Sequence, residues 1–143
     1  MSTKKFEFVD LTTSDVAFRA WGQSIEEVFC NAAEAMFSIM FDLEMVPPIE
    51  QVNVEVEAQT EESLLYAWLS DLLLEAEVNG YFFSSFHIEK IWNENERFYC
   101  VGKGIGSEAK QEYLETLVKG VTYHQFSLKK EQGKFVATVV VDI

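Results

Sequence analysis

From Gln51 to Ala58 apolar and polar residues alternate without a break, with Val52, Val54, Val56 and Ala58 on one face and Asn53, Glu55 and Glu57 on the other. Period two with one wet face specifies a half-buried antiparallel strand. Two stretches of helical period flank it. Before it, Ile25, Val28, Phe29, Ala32, Ala33, Met36, Phe37 and Met40 recur at steps of three and four as far as about Phe41. After it, Leu64, Leu65, Trp68, Leu69, Leu72, Leu73 and Ala76 do the same. Each stripe predicts an amphipathic helix that must bury one face against a sheet. The ends are marked. Ser24 with Glu27 forms a capping-box signature, Pro47-Pro48 excludes continuation of the first helix, Thr60-Glu61-Glu62 opens the second, and Asn79-Gly80 stops it.

The remaining segments have strand content. Phe6 to Val9 and Val16 to Trp21 read as an antiparallel pair joined by a polar turn over Asp10 to Asp15. Phe82 to Ile91, Phe98 to Ile105, Val118 to Leu128 and Phe135 to Ile143 follow, with Gln132-Gly133 turning between the last two. The expected order is β-β-α-β-α-β-β-β-β. That predicts one α+β domain over residues 1–143, with two amphipathic helices packed on a largely antiparallel sheet or partly closed barrel.

With 24 acidic against 11 basic side chains the formal charge is −13. Such a surface repels phosphate backbones, and no Lys/Arg cluster offers a local exception, so no direct nucleic-acid binding is expected. It suits a protein that meets a basic partner or a cation. Cys30 and Cys100 lack the paired spacing of a disulfide framework or zinc motif. Met1 to Val9 is too short and too charged for a signal-peptide core, and no run approaches the roughly 18 apolar residues of a membrane span. A cytoplasmic location away from membranes is expected.

Several motifs tempt and fail. Gly102-Lys103-Gly104-Ile105-Gly106-Ser107 lacks the Gly-Lys-Ser/Thr ending of a P-loop and the βαβ context of a dinucleotide fold, so it reads as a glycine-softened strand end or hinge. His87 and His124 have no second ligand at metal spacing, and no serine or cysteine sits in a nucleophile signature. The three tryptophans and twelve phenylalanines read as core. Two features remain. Lys119 stands alone among apolar strand residues, where an ammonium must snorkel or meet an anion. Asp142, one residue before the Ile143 carboxylate, places two anionic groups at the end of a strand, and Asp15 at a turn is a third. Ca²⁺ takes about 6–8 oxygens, so these carboxylates with backbone carbonyls and water form a candidate hard-cation site.

Asp15 to Gly22, Glu26 to Phe29, Asn31 to Ala33, Ala35 to Phe37, Leu64 to Leu69, Val118 to His124 and Val141 to Ile143 together resemble the archease family, in the family's order and over almost the whole chain. The resemblance implies a protein cofactor of the RtcB-type tRNA-splicing RNA ligase and not a catalyst. In that reaction the ligase transfers guanylate from GTP to its own histidine, and archease promotes this activation and repeated turnover. It further implies a divalent metal ion, calcium first, at Asp15, Asp142 and the Ile143 carboxylate, and an activating role for Lys119. This chain departs from the family's usual Asp-His-Thr-Ala-Asp, having Asp10-Leu11-Thr12-Thr13-Ser14-Asp15, one residue longer and without the histidine. Gly120 stands where alanine is common. The competing readings are a small metal-dependent hydrolase, which needs an open coordination position and a substrate pocket, and a general chaperone, which favours an exposed apolar surface.

Overall fold

The computed structural model describes residues 4–11 and 15–143. Thr12, Thr13 and Ser14 of the expected polar turn lie outside the described residues, as do Met1 to Thr3. The chain forms an α+β fold whose elements follow the expected order: β1 (Phe6–Val9), β2 (Val16–Gly22), α1 (Ile25–Met40), β3 (Glu50–Ala58), α2 (Glu61–Asn79), β4 (Tyr81–Glu94), β5 (Arg97–Glu108), β6 (Gly120–Glu131) and β7 (Lys134–Asp142). Short 3-10 turns cover Leu43–Met45 and Gln111–Tyr113. The strands build two antiparallel sheets, ordered β1-β2-β7-β6 and β3-β5-β4. Neither closes, so the arrangement is a pair of open sheets and not a partial barrel.

Local chemistry accounts for the boundaries. The Ser24 hydroxyl accepts from the Glu27 amide at 3.1 Å, and the Glu27 carboxylate accepts from the Gln23 amide at 2.9 Å, one residue outside the expected reciprocal partner. The full capping box belongs to α2, where Thr60 and Ser63 side chains each accept from the other's backbone amide at 3.0 and 3.1 Å. Gly80 ends α2 in the left-handed region, with φ +70°. Two hairpins close on pairs of residues with positive φ, Gln132-Gly133 as expected and Asn95-Glu96, which composition alone conceals.

Each helix packs on both sheets, α1 against β2, β7 and β4, and α2 against β3, β5 and β6. Trp68 is fully buried at this junction and donates its indole N–H to the Phe29 carbonyl at 3.1 Å. The glycine-rich run is neither a strand end nor a hinge, because it lies within β5. Gly102, Gly104 and Gly106 are interior residues of β5, the central strand of its sheet, and none has positive φ. A methyl group on Gly102 would lie 2.5 Å from the His87 carbonyl oxygen and 3.0 Å from the Trp68 ring. One on Gly104 would lie 2.6 Å from the Phe83 ring. The glycines therefore admit large aromatics to the core, and their amides serve the ladder instead of an anion.

Candidate functional site

The β2–β7 register ends on the pair Val16 and Val141, so Asp15 and Asp142 are the next residues outward on neighbouring strands. On the other side of β7, Gly120 pairs with Asp142, and the Lys119 amide donates to the Asp142 carbonyl at 2.7 Å. Residues from opposite ends of the sequence thus meet at one end of the β1-β2-β7-β6 sheet. Alternation divides them. Phe18, Ala20, Val139 and Val141 belong to the core shared with the helices. Asp15, Asp142 and Thr122 therefore share the opposite face, with Ala17 and Val140 beside them. Asp142 is exposed, Asp15 half-buried and Ile143 37% exposed.

The donor set is oxygen only. The candidate donors are the Asp15 and Asp142 carboxylates and the Thr122 hydroxyl oxygen, which is buried with no hydrogen-bond partner among the described residues. Cys100 is in the core, and burial raises its thiol to about 12; the half-buried Cys30 is raised to about 11 for the same reason. Among the described residues no group of three or more His, Cys, Asp or Glu side chains converges as a metal cluster. Two side-chain carboxylates with main-chain and hydroxyl oxygens fit a hard divalent cation that keeps several waters, and do not fit zinc or copper.

Lys119 is exposed, precedes β6 and lines a cleft of about 680 Å³ together with Leu117, Val118, Gly120 and Tyr66. Among the described residues the ion pairs within 4.0 Å are Lys4–Glu7, Lys5–Glu34 and Arg97–Glu57, and none of these involves Lys119, Asp15 or Asp142. The start of β6 is fixed from below. The Tyr66 hydroxyl donates to the Val121 carbonyl at 2.8 Å, and the Tyr66 ring stacks on Tyr123 at 3.9 Å between centroids. Farther along, the β6–β7 register jumps between Thr122 and Ser127, so Tyr123 to Phe126 bulge from the ladder, with Gln125 at φ +55°. His124 sits in this bulge, exposed.

Tyr66 and Thr122 were not recognisable from pattern as parts of the site. Tyr66 does carry a signal, because Tyr66, Ser70, Leu73 and Glu77 recur at helical spacing and line the cleft as a second face of α2. Leu73 belongs to this face as well as to the core margin.

The sequence profile of the Archease protein family matches residues 6–143. The archease of Methanothermobacter thermautotrophicus is 38% identical over 141 residues, covering 98% of this chain and 99% of that protein. That of Methanosarcina mazei is 39% identical over 142 residues, covering 98% and 97%. The solution structure of Methanobacterium thermoautotrophicum protein 1598 superposes with a TM-score of 0.84 at 35% identity, covering 97% of this chain and 99% of that one. A crystal structure from Thermotoga maritima, described as an archease and possible chaperone, shares the fold with a TM-score of 0.56 at 18% identity, covering 92% and 93%. With the profile spanning nearly every residue and relatives this similar along their full length, the chain belongs to the archease family.

Proposed function

We propose that this protein is a non-catalytic cofactor of the cytoplasm that activates an RtcB-type RNA ligase in tRNA splicing or RNA repair, promoting guanylylation of the ligase and multiple turnover. One observation carries the reading. The sheet register and the Lys119–Asp142 backbone bond gather Asp15, Asp142 and Lys119 at one exposed strand end, where none of them has an ion-pair partner among the described residues. Unpaired charges of both signs on adjoining strands are suited to a cation and to an anionic group brought by a partner.

In this reading Asp15, Asp142 and the Ile143 carboxylate hold a divalent ion of the calcium type, with the Thr122 hydroxyl oxygen close by on the same face. When bound, the ion supplies positive charge and open coordination positions for oxygens of the partner. Lys119 offers its ammonium to a phosphate or carboxylate presented by the ligase, as a point charge on a flexible stem. The Tyr66 hydroxyl, by holding the Val121 carbonyl, keeps the start of β6 in register with Asp142.

The test adds substoichiometric protein to the cognate ligase with GTP and follows covalent guanylylation over time. Stimulation with no nucleotide or phosphodiester turnover by the isolated protein is expected. Absence of stimulation at any divalent ion concentration overturns the reading. Metal-dependent hydrolysis by the protein alone, lost in Asp142→Ala, favours a hydrolase instead. The exposed apolar residues around the cleft support a second reading as a chaperone, which predicts suppression of aggregation of unrelated unfolded chains.

A further inference from the structure

The cleft that Lys119 lines has a neighbour. A second depression of about 750 Å³ shares Gly80, Tyr81 and Phe82 with it, so the two adjoin at the start of β4, with Ala109, Gln111, Leu114 and Leu117 lining one and Lys110 and Tyr113 the other. Their walls carry Met45 and Ile49 in one half and Leu74 and Leu117 in the other, exposed by 50%, 67%, 53% and 56%. Val78, one helical turn beyond Leu74 on α2, is 70% exposed. Four of the eight large exposed apolar side chains among the described residues thus line one groove, whereas a solvated surface scatters them singly.

The charges in the lining select the occupant. Glu50, Glu77 and Glu108 lie next to the residues that both halves share, because the Tyr81 hydroxyl donates to Glu50 at 3.0 Å, Tyr81 pairs with Glu108 and the Gly80 amide donates to the Glu77 carbonyl; Lys110 lines one half and Lys119 the other. Lys110 is turned over the Tyr113 ring at 5.9 Å. The chain as a whole is strongly acidic. Two apolar pockets joined by an acidic saddle match a helix with apolar anchors about two turns apart, flanked by lysine or arginine. We infer that this groove docks a basic amphipathic helix of the ligase, a surface separate from the carboxylates at the strand end. The inference rests on the ligase reading given above. It makes docking and activation separable, because the groove supplies affinity and meets the strand end along Val118 to Val121, while Asp15 and Asp142 lie outside its lining.

Binding of the cognate ligase is measured by calorimetry for the native protein and for Ile49→Glu, Leu74→Glu, Glu50→Lys/Glu77→Lys and Asp142→Ala, with thermal melts of each. Ile49→Glu and Leu74→Glu are expected to melt like the native protein and bind at least about tenfold more weakly. Glu50→Lys/Glu77→Lys is expected to weaken binding and flatten its salt dependence. Asp142→Ala is expected to lose far less affinity than Ile49→Glu or Leu74→Glu while failing to stimulate guanylylation. A synthetic Leu/Lys amphipathic peptide is expected to compete with the ligase. Native affinity in both glutamate variants, with stimulation intact, overturns the docking inference and leaves the ligase reading standing. No binding by the native protein overturns the ligase reading itself. Self-association of the native protein that disappears in Leu74→Glu assigns the groove to a second copy of this chain and overturns the inference.

Discussion

The Lys119 amide donates to the Asp142 carbonyl at 2.7 Å, so the proposed activating lysine and the proposed metal-binding aspartate are tied through their backbones while their side chains remain separately available. Removing the Lys119 ammonium should therefore leave the strand end intact. Lys119→Ala is expected to reduce ligase activation by at least about tenfold while stability changes by less than about 0.5 kcal/mol, as for other exposed substitutions. Lys119→Pro also removes the amide donor and should lower the melting temperature as well. Guanylylation rates and thermal melts of both variants separate the ammonium from the backbone. Unchanged activation in Lys119→Ala would remove the lysine from the mechanism.

Asp15 and Asp142 extend the Val16–Val141 pair at the exposed end of the sheet, which makes them independent of the core. Asp15→Ala and Asp142→Ala are expected to fold normally and to weaken Ca²⁺ binding by calorimetry. Appending one glycine after Ile143 shifts the terminal charge by about 3.5 Å and leaves a neutral amide in its place. At ligand distances of about 2.3–2.6 Å, that displacement would withdraw the proposed Ile143 ligand. Weaker Ca²⁺ affinity in the extended form is expected. Equal affinity would exclude the Ile143 carboxylate as a ligand.

The helices were legible because their caps and stripes are local: Ser24, Thr60 and Gly80 mark ends that the structure keeps. The pairing of Asp15 with the end of β7 was not, since strand register is a long-range property that one sequence does not display. Resemblance to a family supplied Asp15, Asp142 and Lys119 as a set, and the register supplies a physical reason for their proximity. The division into two open sheets was equally hidden, because β5 pairs with both β3 and β4 while β7 returns to β2, and periodicity is the same for either partner. Thr122 was invisible for a different reason. Its significance is an unpartnered buried oxygen, which depends on what surrounds it.

The glycines give a test within the core. A methyl at Gly102 meets the His87 carbonyl oxygen and the Trp68 ring, both held in place, whereas a methyl at Gly120 meets nothing within 4 Å. Gly102→Ala is expected to cost about 1–3 kcal/mol, because neither the β4 backbone nor a fully buried indole yields easily. Gly120→Ala is expected to be neutral or to stabilise by up to about 1 kcal/mol through the unfolded chain. Urea denaturation of both variants measures the contrast. Equal stability would mean that the Trp68 junction relaxes.

The buried thiols predict how stability responds to alkali. Burial raises Cys100 from 9.0 to about 12 and Cys30 from 9.0 to about 11 in the folded protein, while the unfolded chain keeps ordinary thiols. Between pH 9 and 11 the unfolded state therefore loses protons that the folded state retains. Fewer protons bound in the unfolded state means that stability falls as pH rises, and the contribution is fully present below pH 9. For the fully buried Cys100 the slope approaches roughly 1.4 kcal/mol per pH unit in that window. Cys100→Ala should lower stability at pH 7 through lost packing, yet show a shallower decline from pH 9 to pH 11 than the native protein. Parallel declines measured by urea denaturation across that range would place the alkaline sensitivity elsewhere.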